Sequence, residues 1–358
     1  MRVAHLEVAC FRNIESASLD FSDKVNVAFG ANGQGKTSLV EAIAFLSSLR
    51  SFRTPRTGDL VMEGKEASSI CATIEKDGVS RVIEVVIGKG FRKVAIDGHP
   101  VKSASQCLDL FKVVATSPDD SAVLDGGPEG RRLLLDRFCS LLDPQFIMVS
   151  KKYEMALRER NEALRTEGFS PDALDAIEQA LSGAGVEVLR HRLKAIDELG
   201  AKIAPILGSL GGEALGVQVS YEASWLKGDN YEDAMLRSLV ANRKKDQALG
   251  YTQFGPHSDD IRVNILGFSA RGRASRGQRK LLILAWKFAE AALIIEKLGE
   301  IPVLILDDCM SDLDNEKASR LLLCLEESPY QCFITGVEKV NMKATFFEAI
   351  KGSFFLRE

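Results

Sequence analysis

Hydrophobic and polar positions in the first hundred residues follow two different periods. Apolar runs at residues 8–11 and 25–29 predict strands. The second run leads through a glycine-rich turn into a segment that carries Leu39, Ile43 and Leu46 at helical spacing. Residues 68–97 alternate instead with a period of two and close on an Asp97-Gly98 turn signal. This alternation predicts antiparallel hairpins that form a second sheet.

Helical periodicity replaces alternation after Pro118. Tyr153, Leu157 and Leu164 form one apolar stripe, and a second stripe runs from Val186 to Ile203. A short alternating stretch at 217–225 predicts one added strand. The middle of the chain is therefore expected to be a mainly helical insertion.

An α/β pattern returns beyond residue 250. A long apolar helix is predicted at about 277–297, and the fully apolar run at 303–306 is typical of a buried parallel strand. The simplest organisation is one discontinuous α/β domain, residues 1–117 and 250–358, interrupted by a mainly helical lobe at 118–249. The expected fold contains a mixed sheet and an antiparallel sheet.

Composition limits the class of protein and the cellular location that we expect. Among its 358 residues, 46% are hydrophobic and 27% are charged, which is ordinary for a globular protein. No basic-then-apolar leader and no apolar run of ~18 residues is present, so a cytoplasmic protein without a membrane partner is expected. Seven scattered cysteines without a C-x-x-C pair indicate neither a disulfide framework nor a zinc site.

The net charge of −4 means that any contact with DNA must use a local basic patch. Basic residues cluster in three short segments, although a run of this kind more often forms an ordinary solvated surface. The candidates are Arg50, Arg53 and Arg56, then Lys151 and Lys152, then Arg243, Lys244 and Lys245.

The glycine-rich turn matches the phosphate loop pattern G-x-x-x-x-G-K-[ST], and it lies between a predicted strand and a predicted helix. Its residues are Gly30, Ala31, Asn32, Gly33, Gln34, Gly35, Lys36 and Thr37. The glycines allow backbone N–H groups to surround ATP phosphates, Lys36 reaches the β- and γ-phosphates, and the Thr37 hydroxyl ligates Mg²⁺.

Asp307 and Asp308 follow the apolar strand at 303–306, at the end of a strand where open α/β sheets bind ligands. The pair looks like a Walker B motif. Asp307 is expected to hold Mg²⁺, and Asp308 to act as the general base that orients the attacking water. A strand that simply ends in a turn would also favour Asp, and the phosphate loop decides between the two interpretations.

Ser275, Gly277 and Gln278 precede the long helix and resemble the signature of ABC-type ATPases in its S-x-G-Q form. Ser275 and Gln278 also make a capping box, which a plain helix start explains. Gly277 is an unfavourable helix residue, so we interpret it as allowing a close approach to phosphate. In ABC-type ATPases this helix faces the nucleotide of the partner subunit, which implies an ATP-dependent homodimer.

Several further segments make the chain similar to the RecF recombination-mediator family, over nearly its whole length. They are Phe11-Arg12-Asn13, Arg50-Ser51-Phe52-Arg53-Thr54, Ser117-Pro118-Asp119-Asp120, Gly127-Pro128-Glu129 with Arg131-Arg132, Tyr153 through Arg160-Asn161, and Gly255-Pro256-His257-Ser258-Asp259-Asp260. The resemblance implies an ABC-type ATPase head, and it adds Arg12 to the nucleotide site. Ser311 to Asp314 then corresponds to the D-loop, and Thr335 stands where transporters carry a switch histidine.

The resemblance also implies a function. Such a protein dimerises around ATP and Mg²⁺, binds double-stranded DNA and single-strand/double-strand junctions in gaps, and helps RecR and RecO load RecA in post-replication repair and the SOS response. Asp308 replaces the glutamate that ABC ATPases usually carry, so slow hydrolysis is expected. The alternatives are a transporter-type or SMC-like ABC subunit that does not act on DNA gaps, and a small-molecule P-loop kinase, which needs no signature element.

Overall fold

The computed structural model describes residues 1–101, 103–117, 119–212, 216–228 and 230–357. Pro118, where helical periodicity was expected to begin, lies outside the described residues. Strands and helices are numbered in chain order. The strands are β1 Arg2–Phe11, β2 Ile14–Asp20, β3 Val25–Phe29, β4 Ala67–Lys76, β5 Val79–Gly88, β6 Phe91–Ile96, β7 His99–Pro100, β8 Val113–Thr116, β9 Gln218–Glu222, β10 Asp260–Ile265, β11 Phe268–Ser269, β12 Val303–Leu306, β13 Cys332–Gly336, β14 Thr345–Ile350 and β15 Ser353–Arg357.

The helices follow the same numbering, with a 3₁₀ turn at Thr57–Leu60 between the first two. They are α1 Lys36–Ser48, α2 Ala104–Leu110, α3 Asp120–Val123, α4 Pro128–Leu142, α5 Phe146–Arg165, α6 Pro171–Ser209, α7 Tyr231–Leu249, α8 Arg276–Leu298 and α9 Asn315–Glu327. Across the described residues, no helix combines the length and the apolarity that crossing a membrane requires.

The chain folds into two compact units. The first contains residues 1–121, 205–214 and 275–358, and the second contains residues 122–204 and 215–274. This division differs from the expected boundary at 249/250, because β10 pairs with β9 and β11 in a small antiparallel sheet that belongs to the second unit. Residues 250–274 therefore lie with the mainly helical unit, and the first unit resumes at Ser275.

The first unit contains a mixed sheet and an antiparallel sheet. The mixed sheet has the strand order β15-β14-β3-β13-β12-β8, in which β14, β3, β13, β12 and β8 are parallel to their neighbours and β15 is antiparallel to β14. The antiparallel sheet has the order β2-β1-β4-β5-β6-β7. Parallel β3, β13 and β12 end at the same edge, so the loops that follow them meet there.

Helix α1 packs within one core cluster together with residues from both sheets of the first unit. Apolar residues cover most of its circumference, and Leu39, Ile43 and Phe45 are all buried. A helix that is apolar all round is stable only when it is enclosed on all sides. Its N-terminus, and hence the phosphate loop, is thereby fixed at the edge where β3 ends.

Candidate functional site

The phosphate loop occupies the connection between β3 and α1. Gly30, Gly33 and Gly35 all have positive φ, a backbone conformation that glycine adopts without steric cost. A Cβ atom at Gly30 would also lie 2.6 Å from the backbone oxygen of Ala349. The loop can therefore take this shape only with glycine at the position where it leaves the sheet.

Lys36 is buried at the start of α1, and its ammonium group points back into the loop. Nζ donates hydrogen bonds to the backbone oxygens of Gly30 at 2.6 Å and Ala31 at 2.7 Å. Burial lowers the pKa of Lys36, while the nearby Asp307 and Asp308 carboxylates oppose that shift. The cation thus stands at the centre of the loop, where an incoming polyphosphate is electrostatically favoured.

Two neighbouring turns hold the phosphate loop in place. The Asn13 Nδ2 group donates to the Gly33 oxygen at 2.9 Å, and Ser38 Oγ donates to Asn13 Oδ1 at 2.7 Å. On the other side, the Lys351 amide donates to Gln34 Oε1 at 2.6 Å. The loop is therefore fixed from both sides by hydrogen bonds, and little ordering remains to be done when a ligand binds.

Asp307 lies directly after β12 and is fully buried. Its Oδ1 accepts hydrogen bonds from Thr37 Oγ1 at 3.0 Å and from Thr335 Oγ1 at 2.5 Å. Its Oδ2 is also buried, and no hydrogen-bond donor reaches that atom within the described parts of the chain. Burial raises the pKa of Asp307 above the usual value for a carboxyl group. A buried oxygen left unsatisfied costs about 1–3 kcal/mol, which a cation bound there would remove.

Asp308 is held through its backbone. It has a positive φ of 50°. Its amide donates to Thr335 Oγ1 at 2.9 Å, and its carbonyl oxygen accepts from Lys280 Nζ at 2.7 Å and from Ser311 Oγ at 2.9 Å. These contacts offset the strain of a left-handed conformation, and Asp308 lines the cleft.

Thr335 binds both aspartates because β13 lies between β3 and β12 in the sheet. The residue is buried, and its hydroxyl donates to Asp307 while accepting from the Asp308 amide. The sequence left open whether Thr335 replaces a switch histidine. The observed contacts are those of a residue that positions the two aspartates.

A buried carboxylate that the sequence did not single out binds two arginines that line the site. Glu41 of α1 has a fully buried side chain and accepts from Arg12 Nε at 3.0 Å and Nη2 at 2.8 Å. It also accepts from Arg53 Nη1 at 3.2 Å and from Ser51 Oγ at 2.5 Å. A charged residue inside the apolar stripe of α1 was the signal that could have identified it.

These residues surround an open cleft of about 570 Å³. It is lined by residues 32–38 together with Arg12, Arg53, Asp307, Asp308 and Thr335. Basic groups and oxygen ligands dominate the lining, as a magnesium-bound polyphosphate requires. The fold thus brings the residues of the predicted phosphate loop, the predicted Walker B pair and Arg12 to one place.

The predicted signature residues do not line that cleft. Ser275 caps α8, accepting from the Gln278 amide at 3.2 Å, while the Ser275 amide donates to Gln278 Oε1 at 2.8 Å. The capping box suggested by the sequence is therefore present. Ser275 is exposed and Gln278 is partly exposed, so the N-terminus of α8 is accessible to another molecule.

Gly277 has a packing role that the sequence did not indicate. A Cβ atom at this position would lie 2.8 Å from the backbone oxygen of Asp312 in the loop after β12. Glycine is therefore required for α8 to pack against that loop within the same chain. Together with the bond from Lys280 to Asp308, this contact connects the start of α8 to the Walker B segment.

In the second unit, the quoted family segments supply buried ion pairs. Arg131 binds the Asp260 carboxylate through two hydrogen bonds of 2.7 and 2.9 Å. Arg160 is fully buried between Glu178 at 2.9 Å and Asp246 at 2.7 Å. Breaking a buried pair of this kind typically costs about 3–5 kcal/mol. Because both arginines are paired with carboxylates of the same chain, we assign them a structural role.

His257 is also part of this buried network. Its Nε2 donates to the Thr252 oxygen at 2.9 Å, so its Nδ1 accepts from the Tyr153 hydroxyl at 2.5 Å. Burial lowers the pKa of His257, which keeps the ring neutral. Nearby Asp259 accepts from Tyr221 at 2.8 Å and Trp225 at 2.7 Å, and burial raises its pKa to about 6.

The basic segments differ in how much free charge they present. Arg53 pairs with Glu41, and Arg243 pairs with Glu178 and Asp175. The remaining candidates, Arg50, Arg56, Lys151, Lys152, Lys244 and Lys245, are exposed.

A comparison with family models finds that the model described as "RecF/RecN/SMC N terminal domain" matches residues 2–355. Among curated relatives, DNA replication and repair protein RecF of Myxococcus xanthus (strain DK1622) is 37% identical over 347 residues, covering 94% of this chain and 91% of the relative. The protein of the same name from Clostridium novyi (strain NT) is 31% identical, covering 98% of this chain and 97% of the relative.

Solved structures agree with the sequence relatives. A structure of the recombination mediator protein RecF with ATP, described as part of the RecFOR pathway, has a TM-score of 0.91 and 28% identity, covering 99% of this chain and 97% of that chain. An Smc head bound to a winged-helix domain of ScpA has a TM-score of 0.57 at 16% identity and shows the fold alone. The expected fold class, an ABC-type ATPase head, is confirmed.

Proposed function

The chain belongs to the RecF family, and from this premise we propose that it is an ATP-dependent, DNA-binding recombination mediator. ATP closes a homodimer, and the closed dimer binds gapped and junction DNA. With RecR and RecO, it promotes RecA loading in post-replication repair and the SOS response. A weak ATPase reaction then separates the two copies.

One observation carries the nucleotide part of the proposal. Among the described residues, the buried Oδ2 atom of Asp307 has no hydrogen-bond donor, and it lies on a carboxylate already bound to the Thr37 hydroxyl. Both residues offer oxygen ligands of the kind that Mg²⁺ prefers. Bound Mg²⁺ would neutralise charge on the β- and γ-phosphates, and Lys36 would exchange its loop carbonyls for phosphate oxygens.

Asp308 is our candidate for the general base that orients the attacking water. Its backbone is fixed by Thr335, Lys280 and Ser311, so the carboxylate position depends on a short side chain. Aspartate is one methylene shorter than the glutamate usual at this place, and it reaches less far toward the γ-phosphate. Weak activity follows, which suits a protein that must stay closed on DNA.

The exposed capping box of α8 supports the dimer. Ser275 and Gln278 present a helix N-terminus that does not line the cleft of its own chain. A helix N-terminus favours anions through its free N–H groups and its dipole. We therefore assign it to the γ-phosphate held by a second copy.

Light scattering with and without ATP and Mg²⁺ tests the dimer. Wild type is expected to double its molar mass with ATP, whereas Lys36→Ala and Ser275→Arg stay monomeric. Ser103→Arg is the matched control, because Ser103 is an exposed capping-box serine paired with Gln106 at the start of α2. Each serine change removes one helix cap, worth about 1 kcal/mol. Equal dimerisation by Ser275→Arg and Ser103→Arg would contradict the assignment.

Binding to gapped and blunt duplex DNA tests the mediator role. The wild-type protein with ATP should prefer the gapped duplex, and this preference should disappear without ATP. A chain that dimerises with ATP but binds neither DNA would instead favour another ABC-type ATPase function.

A further inference from the structure

The hairpin of β5 and β6 carries an exposed basic and aromatic tip. Gly88 pairs with Phe91, so Lys89 and Gly90 form a two-residue turn. Lys89, Phe91 and Lys93 are exposed, and 47% of the Phe91 surface is open to solvent. An exposed aromatic ring flanked by exposed lysines offers a stacking surface next to positive charge.

Phe91 is arranged as a flat platform. Its ring lies directly over Gly88, where a Cβ atom would be only 2.1 Å from a ring carbon. The Lys93 ammonium group lies 5.9 Å from the ring centroid. The hairpin backbone therefore supports the ring from one side, and a cation stands beside it.

Further positive charge lies next to the hairpin. Arg92 points to the opposite face of β6 and donates to the Leu49 oxygen at 2.7 Å, which brings the hairpin beside the 50–56 segment. Burial lowers the pKa of Arg92, and the charge of Arg50 lowers it further. We call Lys89, Phe91 and Lys93 the hairpin patch. In the part of the chain that the structure describes, these lysines, like Arg50 and Arg92, form no ion pair with a carboxylate.

The chain segments that form the patch are basic. Residues 85–96 and 42–58 contain no Asp or Glu. The neighbouring acids are Glu84, which pairs with Ala95 on the same face as Lys93, and Glu66, which precedes the Gly88 partner Ala67. The whole chain has a net charge of −4, so this concentration of positive charge is local. A patch of this kind attracts a polyanion.

We propose that the hairpin patch contacts DNA, with Lys89 and Lys93 on backbone phosphates and Phe91 stacked on an unpaired base. This inference rests on the proposed function and names the surface that performs it. Lysines with an adjacent aromatic ring combine the two interactions by which proteins hold single strands, namely phosphate contact and base stacking. The single-stranded part of a gap offers both partners at once.

The test measures binding of fluorescent gapped and blunt duplexes to the full-length protein with ATP between 50 and 200 mM salt. Each lost contact to a single-strand phosphate lowers the slope of log K against log salt by about 0.7, so Lys89→Ala/Lys93→Ala should reduce the slope for gapped DNA by about 1.4. Phe91→Ala should leave the slope unchanged and weaken gapped-DNA binding by about 5- to 150-fold, with blunt duplex little affected.

Lys24→Ala/Lys343→Ala is the control, because it removes two exposed lysines that precede the neighbouring parallel strands β3 and β14 and lie outside the three basic segments. This variant should retain the wild-type slope, and all variants should dimerise with ATP. If wild type binds gapped DNA but the hairpin lysine variant keeps the full slope, the hairpin patch is not the contact surface. Failure of wild type itself to bind would instead refute the proposed function. If the hairpin lysine variant binds DNA with the wild-type salt slope but no longer binds an acidic protein partner, the hairpin patch is a protein-binding surface and the DNA assignment is wrong.

Discussion

Gly277→Ala is the change whose outcome most sharply separates a helix-forming role from a packing role. In an unobstructed helix, replacing glycine by alanine gains about 1 kcal/mol of stability. At Gly277 the new methyl group would lie 2.8 Å from the Asp312 oxygen, a backbone atom. Displacing a packed backbone to accept one methyl group typically costs about 1–3 kcal/mol. We therefore expect no net gain, and up to about 2 kcal/mol of destabilisation.

Gly183→Ala is the matched control, because a Cβ atom at Gly183 in α6 would have no neighbour within 4 Å. Urea unfolding should show Gly183→Ala more stable than wild type, with Gly277→Ala about 1–3 kcal/mol below Gly183→Ala. The Gly277 variant should also dimerise more weakly with ATP, because the start of α8 and the Asp312 loop must both shift. Equal stabilisation by the two substitutions would refute the packing role of Gly277.

Three further changes test the site and its surroundings. Asp308→Asn should lower phosphate release by at least about 100-fold while ATP-dependent dimerisation persists, since general-base assistance is lost but binding is not; undiminished release would exclude Asp308 as the base. Glu41→Ala should lower the free energy of unfolding by about 3–5 kcal/mol, because the partly buried Arg12 loses its partner. A loss below about 1 kcal/mol in urea unfolding would show that this ion pair contributes no more than an exposed one. Because the pKa of Asp259 is raised, the folded protein binds a proton there more tightly than the unfolded chain does. Wild type should therefore lose up to about 3 kcal/mol of stability relative to Asp259→Asn as pH rises from 4 to 6. A stability difference between the two proteins that does not change with pH would show that Asp259 titrates normally.

The sequence could bring the residues of the predicted phosphate loop and the predicted Walker B pair to one cleft because each pattern is encoded locally. An apolar strand followed by glycines and Lys36, or by Asp307, describes both the element and its end. The parallel sheet then brings the two ends together without further information. The family resemblance extended the prediction to the fold class, which the solved structures confirm.

Contacts between distant segments were not encoded in this way. The pairing of β9 with β10 joins residues 218–222 to 260–264, and it moves residues 250–274 into the second unit. Likewise, no residue near Glu41 in the sequence indicates that Arg12 and Arg53 are its partners. Gly277 shows a third case, because a steric requirement from Asp312 appears only once α8 is packed.

Mixing two inactive variants tests most directly whether one copy completes the nucleotide site of another. Lys36→Ala has an intact α8 start, and Ser275→Arg has an intact phosphate loop. A mixed dimer of the two would contain one site with both intact halves. We expect that neither variant dimerises alone with ATP and Mg²⁺, but that an equimolar mixture forms heterodimers in light scattering. A mixture that stays monomeric, beside a wild type that dimerises, would contradict a site shared between copies.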